Sequence, residues 1–574
     1  MAGNDKSLTN NTTPIPPAGA TCCWIEQDII ESKKRGQKII TRFPPEPNGF
    51  MHIGHAKAFG IDYFFAKRHG GYTNMRFDDT NPEKEDQKYV DAMLHDTKWL
   101  GMDWEQITYA SDGYEVLYQL ACLMIKKGVA YVDDQTAKEI SDTRGTFTSV
   151  GKASPFRNRT PDENLKLFEQ MRAGEFPDGA RVLRAKIDMQ SPNMNMRDPV
   201  MYRIMRTSHY RTGDKWCIYP LYDYAHPLGD VMENVSHSIC SHEYIDHNVL
   251  YQWYIRNAVL DKNGKVDPVA ESAIKTLFPN WDAKAPLPRQ FEFGRMSIEQ
   301  FVMSKRWLKR FVDDGKVDGW DDPRMPTVSG MRRRGYPATA IMDFVESTGV
   351  SRTPATVPLS ALEYYVRTHL DPVVARASVV FDPIRVVITN YPNAKPEMLE
   401  IANNPHDESA GKHTLYFGRE LWLDGEDFSE NPPPKYKRLT VGGHVRLRGA
   451  YIIKCDKVVK DKIGKITHLE CSYLPNSKSG NDQSGVKPSG VIHFVEATTA
   501  VAATVHEFFP LLKQGIDLAE ENLTEVTKVT HNVMAEAWLA NAKPGTQFQF
   551  VRKGFFIHDG KNVYNKTVSL KEGW

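Results

Sequence analysis

The chain has 574 residues, with 73 Lys and Arg against 72 Asp and Glu, and 41% of its residues are hydrophobic. This composition excludes a disordered chain and a small disulfide-stabilised scaffold, because so long a chain with this much apolar surface can fill several cores. The seven cysteines contain no CxxC pair, and the first twenty residues lack the apolar stretch of a signal peptide. These features predict reduced thiols in a cytoplasmic protein without a structural zinc site. No run approaches the ~18 apolar residues of a membrane span, so no membrane association is expected.

The chain is predicted to begin with a short leading helix, Trp24–Lys34, followed by one β-α-β unit. The unit consists of a strand over 38–43, a proline-rich turn, a helix over 54–69 and the strand Tyr72–Phe77. The change from period two to period 3.6 is typical of a nucleotide-binding parallel sheet. Because ligands bind where parallel strands end, we expect the site near Asn48 and Asp78.

Three blocks of different character follow. Residues 113–221 predict an α+β insertion, in which Thr160 and Glu163 form a capping box that opens a helix at Pro161. Residues 296–373 predict amphipathic helices. From residue 374 onward, short alternating runs at 378–381, 385–389, 445–454 and 490–495 are divided by Pro and Gly and predict β-barrels.

A local basic excess lies within the predicted barrels. Residues 435–465 contain ten Lys and Arg against Asp456 and Asp461. On a strand, Arg446 and Arg448 share one face and the apolar Val445 and Leu447 share the other, so the basic row is expected to face outward. It is either an ordinary solvated surface or a nucleic-acid contact.

The strongest chemical signal is His52-Ile53-Gly54-His55 at the start of the second predicted helix. Helix N-terminal amides and the positive end of the dipole favour an anion, and two imidazoles there can donate to phosphate oxygens. Gly54 would let a flat base lie against the backbone. The segment therefore predicts a triphosphate site. The alternatives are histidines that cap the helix or bind a metal.

A second segment, residues 302–306, indicates a phosphate-binding role only in combination with the segment His52–His55. Lys305 in a short loop could reach the same phosphates and stabilise charge that develops in the transition state. Alone, the pair Lys305-Arg306 is typical of solvated surface.

The two segments together resemble the signatures of class I aminoacyl-tRNA synthetases, and the chain is most similar to the glutaminyl branch of the glutamyl/glutaminyl subfamily. The resemblance covers residues 24–574 and includes the segments 76–82, 183–189, 216–220, 319–326 and 332–336. It implies a multidomain α/β fold: a Rossmann-type catalytic domain (38–112 and 222–295), an insertion for the acceptor stem (113–221), a helical domain (296–373) and two anticodon-binding β-barrels (374–574). Residues 1–37 are then an N-terminal extension, expected to be partly disordered.

The resemblance also implies site residues. Those matching the family's ATP site are Glu46, Pro47, Asn48, His52, Ile53, Gly54, His55, Ala56, Lys57, Ala58, Ser241, Arg295, Met296, Met303, Ser304 and Lys305, with catalytic roles for His52, His55 and Lys305. Those matching its glutamine pocket are Arg42, Asp78, Tyr222, Cys240 and Gln290, and those matching its tRNA contacts are Asp246, Arg376, Arg438, Arg446 and Arg448. Val302 stands where the usual KMSKS signature has its first lysine, so Lys305 alone should supply the ammonium of that loop.

Other interpretations stay open for three pocket residues. Asp78 could cap the next helix, Tyr222 could be core packing, and Cys240 could be a small buried hydrophobe. The glutamyl branch typically carries arginine at the position of Cys240, where it pairs with a γ-carboxylate. A neutral thiol cannot pair that charge, so glutamine is favoured over glutamate.

The implied activity is ligation of L-glutamine to the 3′-terminal adenosine of tRNA(Gln) through a glutaminyl-adenylate, with ATP and Mg²⁺, releasing AMP and pyrophosphate. The family further implies that activation needs bound tRNA, that the enzyme is a monomer, and that a multi-synthetase assembly is an available partner. The alternatives are a glutamyl-tRNA synthetase and a non-catalytic tRNA-binding protein on a retired synthetase scaffold.

Overall fold

The computed structural model describes residues 23–392, 395–515 and 518–571. Most of the N-terminal segment predicted to be disordered lies outside these ranges. The chain begins with α1 (Trp24–Lys34), β1 (Ile40–Phe43), α2 (Ile53–Arg68), β2 (Tyr72–Phe77), α3 (Gln87–Trp99) and β3 (Ile107–Tyr109). The three strands are parallel in the order β1-β2-β3, and every residue of β1 is buried. The predicted leading helix and β-α-β unit are confirmed.

The insertion is built on an antiparallel sheet. Its elements are α4 (Tyr114–Lys126), β4 (Ala130–Asp133), α5 (Ala137–Arg144), α6 (Pro161–Arg172), β5 (Val182–Ala185), β6 (Val200–Ile204) and β7 (Ile218–Pro220). The four strands pair in chain order. The predicted capping box is present: Thr160 Oγ1 accepts from the Glu163 amide at 3.3 Å, and Glu163 Oε2 accepts from the Thr160 amide at 2.9 Å.

The chain then returns to the parallel sheet with α7 (Tyr222–Met232), β8 (His237–Ser241), α8 (Asn248–Val259), α9 (Pro268–Leu277) and β9 (Arg289–Phe293). Strand β8 is parallel to β9. Ser236, just before β8, ties it to β1, because its amide donates to the Ile40 carbonyl at 2.8 Å and its hydroxyl accepts from the Ile40 amide at 2.8 Å. The insertion therefore interrupts one continuous parallel arrangement, β3-β2-β1-β8-β9, whose strands end along one edge.

The helical block contains β10 (Met296–Ile298), α10 (Lys305–Asp313), α11 (Val328–Arg334), α12 (Ala338–Ser347), β11 (Ala355–Val357) and α13 (Leu359–Leu370). The helices agree with the sequence, whereas the parallel pair β10–β11 was not predicted. This block meets the start of α2 directly: the Ile53 amide donates to the Pro326 carbonyl at 3.2 Å, and the Val328 amide donates to the Met51 carbonyl at 2.9 Å.

The eighteen remaining strands of the described ranges form two seven-stranded, barrel-like sheets and two separate two-stranded pairs. They are β12 (Ala375–Ala377), β13 (Val379–Val380), β14 (Pro383–Ile388), β15 (Glu397–Ala402), β16 (Lys412–Phe417), β17 (Glu420–Asp424), β18 (Phe428–Ser429), β19 (Leu439–Thr440), β20 (His444–Leu447), β21 (Ile452–Lys460), β22 (Ile466–Tyr473), β23 (Val491–Ile492), β24 (Val495–Glu496), β25 (Val501–Phe508), β26 (Lys528–Ala535), β27 (Gln547–Phe550), β28 (Gly554–Gly560) and β29 (Val563–Val568). The single predicted run 445–454 is wrong, because the chain turns at Gly449 (φ 75°) and divides it into β20 and β21. Within the described ranges, no helix is long and apolar enough to cross a bilayer.

Candidate active site

The two histidines of the first signature cap helix α2 with their side chains. His52 is the N-cap residue: its Nδ1 accepts from the Gly54 amide at 3.1 Å, and its own amide donates to Nδ1 of His55 at 3.2 Å. Because Nδ1 of each ring is an acceptor, each neutral ring carries its proton on Nε2. The cap therefore fixes the tautomer that offers an Nε2–H donor on both rings, whose centroids are 3.9 Å apart.

Both rings are held neutral. Burial, followed by the nearby charges of Lys305 and Arg295, lowers the pKa of His52 to about 3. Burial, the neighbouring ring of His52 and the same two cations lower the pKa of His55 well below its ordinary value. At neutral pH these side chains can donate to an anion, but they add no net charge.

The lysine of the second signature meets the first signature. Lys305 Nζ donates to Asn48 Oδ1 at 2.6 Å, although the two residues are 257 positions apart. Asn48 in turn donates from Nδ2 to the Glu46 carboxylate. Burial lowers the pKa of Lys305, and the Glu46 carboxylate opposes that shift. The predicted convergence of early histidines and a distant lysine is thus present in the fold.

Helix α10 and an apolar cluster explain why the second signature has a lysine at position 305 and a valine at position 302. Lys305 is the first residue of α10, after Ser304 as N-cap, so its ammonium and the positive end of the helix dipole act together on an anion. Val302 is 2% exposed and belongs to a cluster with Leu308 and Phe311. A lysine at 302 would bury its charge among these side chains, which accounts for the missing first lysine.

The other residues predicted for ATP divide into three groups. Ile53, Ala56 and Ala58 pack into or against the core, so only their backbone is available to a ligand, and Pro47 and Met296 are buried as well. Lys57 lies elsewhere: its Nζ donates to Thr348 Oγ1 at 3.1 Å, and burial lowers its pKa to about 8.

The third group lies beside the histidines. Ser241 donates to Glu243 Oε1 at 2.9 Å, and Arg295 forms a 3.2 Å ion pair with the same carboxylate. A Cβ at Gly54 would lie 2.9 Å from His52 Cε1 and 3.2 Å from the Met303 methyl group. Gly54 therefore permits the close approach of Met303 to the start of α2.

The predicted amino-acid pocket is centred on Asp78 at the end of β2. Its carboxylate accepts from Arg76 Nε at 2.8 Å and from His226 Nδ1 at 2.8 Å. Burial alone would raise the pKa of Asp78, but Arg76 and His226 hold it below its usual value. The alternative that Asp78 caps the next helix is wrong, since Asp86 is the N-cap of α3. A buried, ionised carboxylate at a strand end can hold an ammonium.

One face of α7 adds His226 and Asp230, which the sequence did not reveal, to the predicted Tyr222. Arg42 is fully buried and pairs with Asp230 (Nε to Oδ1, 2.9 Å), while its Nη2 donates to His226 Nε2 at 2.7 Å. Tyr222 stacks on His226 with ring centroids 4.7 Å apart. Tyr222, His226 and Asp230 are spaced four residues apart along an otherwise largely apolar helix, and that spacing was the available signal. Arg42 therefore forms part of the pocket wall, and its guanidinium is already hydrogen-bonded to Asp230 and His226.

The remaining pocket residues lie on β8 and β9. Burial raises the pKa of the Cys240 thiol, so it stays neutral. Glu292 stands opposite Cys240 in the strand register and accepts from Gln290 Nε2 at 2.9 Å. A neutral thiol beside a carboxylate offers no partner for a second negative charge.

The predicted RNA contacts are more engaged within the protein than the sequence suggested. Arg376 is 5% exposed and pairs with Asp371 at 2.8 Å. Arg438 pairs with Asp427 at 3.0 Å. Asp246 is exposed, and its backbone carbonyl accepts from Asn193 Nδ2 at 2.7 Å.

The basic strand itself has the predicted alternation, with Val445 and Leu447 fully buried. Its arginines lie on the opposite face, as predicted, but both are partly covered. Arg446 donates to the Ser477 carbonyl at 2.7 Å and pairs with Asp482, and Nη1 of Arg448 is buried without a hydrogen bond among the described groups.

One group in the barrels has the composition of a metal site. Ligand atoms of Asp424, Asp427 and His493 lie within 4.8 Å of one another. Arg552 Nη1 donates to Asp427 at 2.8 Å, and Lys553 pairs with Asp424 at 3.3 Å. These cations already compensate the carboxylates.

A parallel sheet with neutral histidine donors, a convergent lysine and an ammonium-binding aspartate at its strand ends is the arrangement of a nucleotide-dependent enzyme that activates an amino acid. The family model described as "tRNA synthetases class I (E and Q), catalytic domain" matches residues 38–265 and 277–372, and two models described as the anti-codon binding domain match 374–474 and 491–559. The chain belongs to the class I (E and Q) tRNA synthetase family.

Three curated relatives are each named glutamine–tRNA ligase. That of Clostridium perfringens is 46% identical over 561 residues, covering 95% of this chain and 97% of the relative. That of Clostridium kluyveri is 46% identical over 569 residues, covering 96% and 97%. That of Pseudomonas aeruginosa is 46% identical over 552 residues, covering 94% and 95%.

Proposed function

We propose that the protein ligates L-glutamine to the 3′-terminal adenosine of tRNA(Gln) in an ATP-dependent reaction through a glutaminyl-adenylate. The observation that carries the chemistry is the bond from Lys305 to Asn48, which brings the two signatures to one place beside the neutral histidines. Relatives named for this activity, matched over nearly their whole length, support the substrate assignment.

In the first step the glutamine carboxylate attacks the α-phosphorus of ATP, and pyrophosphate leaves. The Nε2–H groups of His52 and His55 donate to phosphate oxygens as charge moves toward the leaving group. Lys305, at the N-terminus of α10, stabilises that charge with its ammonium. The carboxylate of Asp78 holds the substrate ammonium and so orients the attacking group.

In the second step a hydroxyl of the terminal ribose attacks the acyl carbon of the adenylate, and AMP leaves. No protein nucleophile is required. Acceleration comes from positioning and from donors that are fixed before the charge develops.

We propose that Mg²⁺ enters with the ATP phosphates and supplies further charge neutralisation there. Magnesium prefers carboxylate and other oxygen ligands. The predicted phosphate-binding side chains, His52, His55 and Lys305, are N–H donors, and Glu46 already accepts from Asn48. These residues do not form a resident magnesium site.

Glutamine is proposed over glutamate because the pocket residues that the structure describes offer no available cation for a γ-carboxylate. Cys240 is neutral, and the guanidinium of Arg42 is already paired with Asp230. An unpaired carboxylate in such a site costs several kcal/mol, which corresponds to about a thousandfold in kcat/KM.

We propose that the sequence-derived domain limits hold and that residues 374–574 bind the anticodon. Asp246, Arg376, Arg438, Arg446 and Arg448 remain the proposed RNA contacts. Action as a monomer in the cytoplasm is part of the same proposal, with a multi-synthetase assembly as a possible association.

The test is to charge transcripts of tRNA(Gln) and tRNA(Glu) with radiolabelled glutamine or glutamate in the presence of ATP. We expect glutamine on tRNA(Gln), with at least a thousandfold preference over glutamate. Comparable charging with glutamate would favour a glutamyl enzyme, and tRNA binding without charging would favour a non-catalytic protein.

A further inference from the structure

Two cysteines face each other in the first barrel-like sheet. Cys455 on β21 stands directly opposite Cys471 on β22 in the antiparallel register. The backbone of Cys455 bonds on its other side, where its amide donates to the Gly443 carbonyl at 3.2 Å and its carbonyl accepts from the Gly442 amide at 2.7 Å. The two cysteines are therefore a non-hydrogen-bonded pair.

That kind of pair brings side chains closest together. Non-hydrogen-bonded antiparallel partners have Cα atoms about 4.5 Å apart, which lies within the ~4.4–6.8 Å that a disulfide spans. Both residues are fully buried and both are free thiols. Their placement thus satisfies the backbone requirement for a cross-strand disulfide without a change of register.

The two thiols are not equivalent. A hydrogen bond from Cys471 lowers the pKa of the Cys455 thiol, whereas the same bond, followed by burial, raises the pKa of Cys471. Cys455 also adjoins the irregular step of β21 between Cys455 and Lys457, so it is assigned as the attacking thiol and Cys471 as the resolving thiol.

The strand is irregular next to Cys455. The register of β21 and β22 shifts between Cys455 and Lys457. A shift of this type interrupts the ladder, and a local opening there exposes the pair without unfolding the sheet.

We propose that Cys455 and Cys471 form a thiol–disulfide modification site that a hydroperoxide oxidises to a cross-strand disulfide. The Cys455 sulfur attacks one peroxide oxygen, the O–O bond breaks, and the leaving oxygen is protonated, which gives a sulfenic acid. The Cys471 sulfur then attacks the Cys455 sulfur, the S–S bond forms, the S–O bond breaks, and water leaves. Overall, two thiols lose two electrons and two protons, and the peroxide O–O bond is reduced.

The full-length reduced protein is treated with hydrogen peroxide, denatured in excess iodoacetamide and digested for peptide mass spectrometry. We expect a peptide that links Cys455 to Cys471, two hydrogens lighter than the separate thiols, and its disappearance after dithiothreitol. Alkylation of both cysteines to the same extent as in the untreated sample would overturn the proposal.

Variants identify the order of the steps. In Cys455→Ala, Cys471 should remain an alkylatable thiol at the same peroxide dose. Cys217→Ala, which removes a half-buried thiol in the insertion, should leave the linked peptide unchanged. Equal oxidation of Cys471 in Cys455→Ala would contradict the proposed pairing. Circular dichroism establishes that the variants fold, and the wild-type mapping stands without them.

Discussion

Replacing Lys305 with alanine separates transition-state stabilisation from substrate binding. The ammonium donates to Asn48 Oδ1 at 2.6 Å, as short as a charge-assisted hydrogen bond. With ATP bound, the phosphates are the stronger acceptor, because they carry charge that grows as pyrophosphate leaves. The variant should therefore lose rate in the activation step and keep nearly unchanged affinity for glutamine.

The size of the loss follows from the geometry. A single preorganised donor to developing charge contributes about 2.7–4 kcal/mol. Neighbouring groups partly desolvate the Lys305 ammonium, but the residue as a whole keeps contact with solvent, so screening by water places its contribution near the lower limit of that range. We expect kcat for activation to fall about a hundredfold. Stability should change in the opposite direction, since removing a cation from the first turn of α10 stabilises the helix by about 0.3–1 kcal/mol.

The assay is pyrophosphate exchange with saturating tRNA, together with urea unfolding of each variant. Lys309→Ala is the matched control, because Lys309 is an exposed lysine on the same helix and pairs with Asp313. It should leave kcat within about twofold. A loss in Lys305→Ala confined to KM for glutamine, or an equal loss in Lys309→Ala, would refute the assigned role.

Three further predictions use variants that separate overlapping roles. His52→Asn keeps an N-cap acceptor and His52→Ala does not, so both should lower kcat about a hundredfold, while only the alanine variant loses about 1 kcal/mol in urea unfolding. Because the pKa of His52 is about 3, below its unfolded value of about 6.5, the stability linked to this ring is complete above pH ~6.5 and is lost as the pH falls toward 3. A calorimetric pH series that shows stability rising on acidification over that range in wild type relative to His52→Asn would contradict this sign. Cys240→Arg should lower kcat/KM for glutamine and raise it for glutamate, while Cys240→Ser keeps the wild-type preference; an unchanged ratio in the arginine variant would show that the thiol does not face the substrate amide. Arg446→Ala combined with Arg448→Ala should weaken tRNA binding and reduce the slope of log affinity against log salt concentration by about one to two. Arg385 is an exposed arginine of the same barrel, and Arg385→Ala should change neither the affinity nor the slope. An unchanged slope in the double variant would remove Arg446 and Arg448 from the RNA surface.

The elements around the first signature could be predicted because each carries a local cause. The strand Tyr72–Phe77 has nearly continuous burial, and α6 begins at a capping box with proline in its first position. Such signals depend on a few neighbouring residues, so they are visible in the sequence before any tertiary contact is known. The turn at Gly449 shows the limit, because a positive φ in the middle of an apolar run was visible only as one glycine among alternating residues.

The network beneath the amino-acid pocket could not be predicted, because its partners come from distant segments. Arg42 and Asp230 are 188 positions apart, and they meet only because the chain returns to the parallel sheet after the insertion. Both are charged, and composition alone would place them on the surface. Their burial becomes understandable once each is seen to compensate the other. Arg42 donates a further hydrogen bond to His226 Nε2, and Asp230 accepts another from Arg76 Nη1 at 2.8 Å.

The partial covering of the barrel arginines could not be predicted for a related reason. Strand alternation correctly placed Arg446 on the face opposite Val445, but alternation does not state what covers that face. Segment 477–482 folds over it, where the Ser477 carbonyl and Asp482 accept from the guanidinium. An RNA phosphate at this position must therefore compete with a carboxylate of the protein, so the contribution of Arg446 to affinity is smaller than that of an unpaired arginine.

The histidine signature shows why a structural and a chemical role are compatible in one side chain. A capping role was the alternative to a phosphate site, yet the cap uses only Nδ1 of His52 and His55. If the rings were not caps, either nitrogen could carry the proton, and half of the neutral tautomers would present a lone pair to a phosphate oxygen. The backbone amides remove that ambiguity, and burial removes the charged form. The start of α2 therefore makes the two neutral imidazoles dependable donors. Any substitution that breaks the backbone bonds to Nδ1 of these rings should lower the rate of activation, even though both Nε2 atoms are retained.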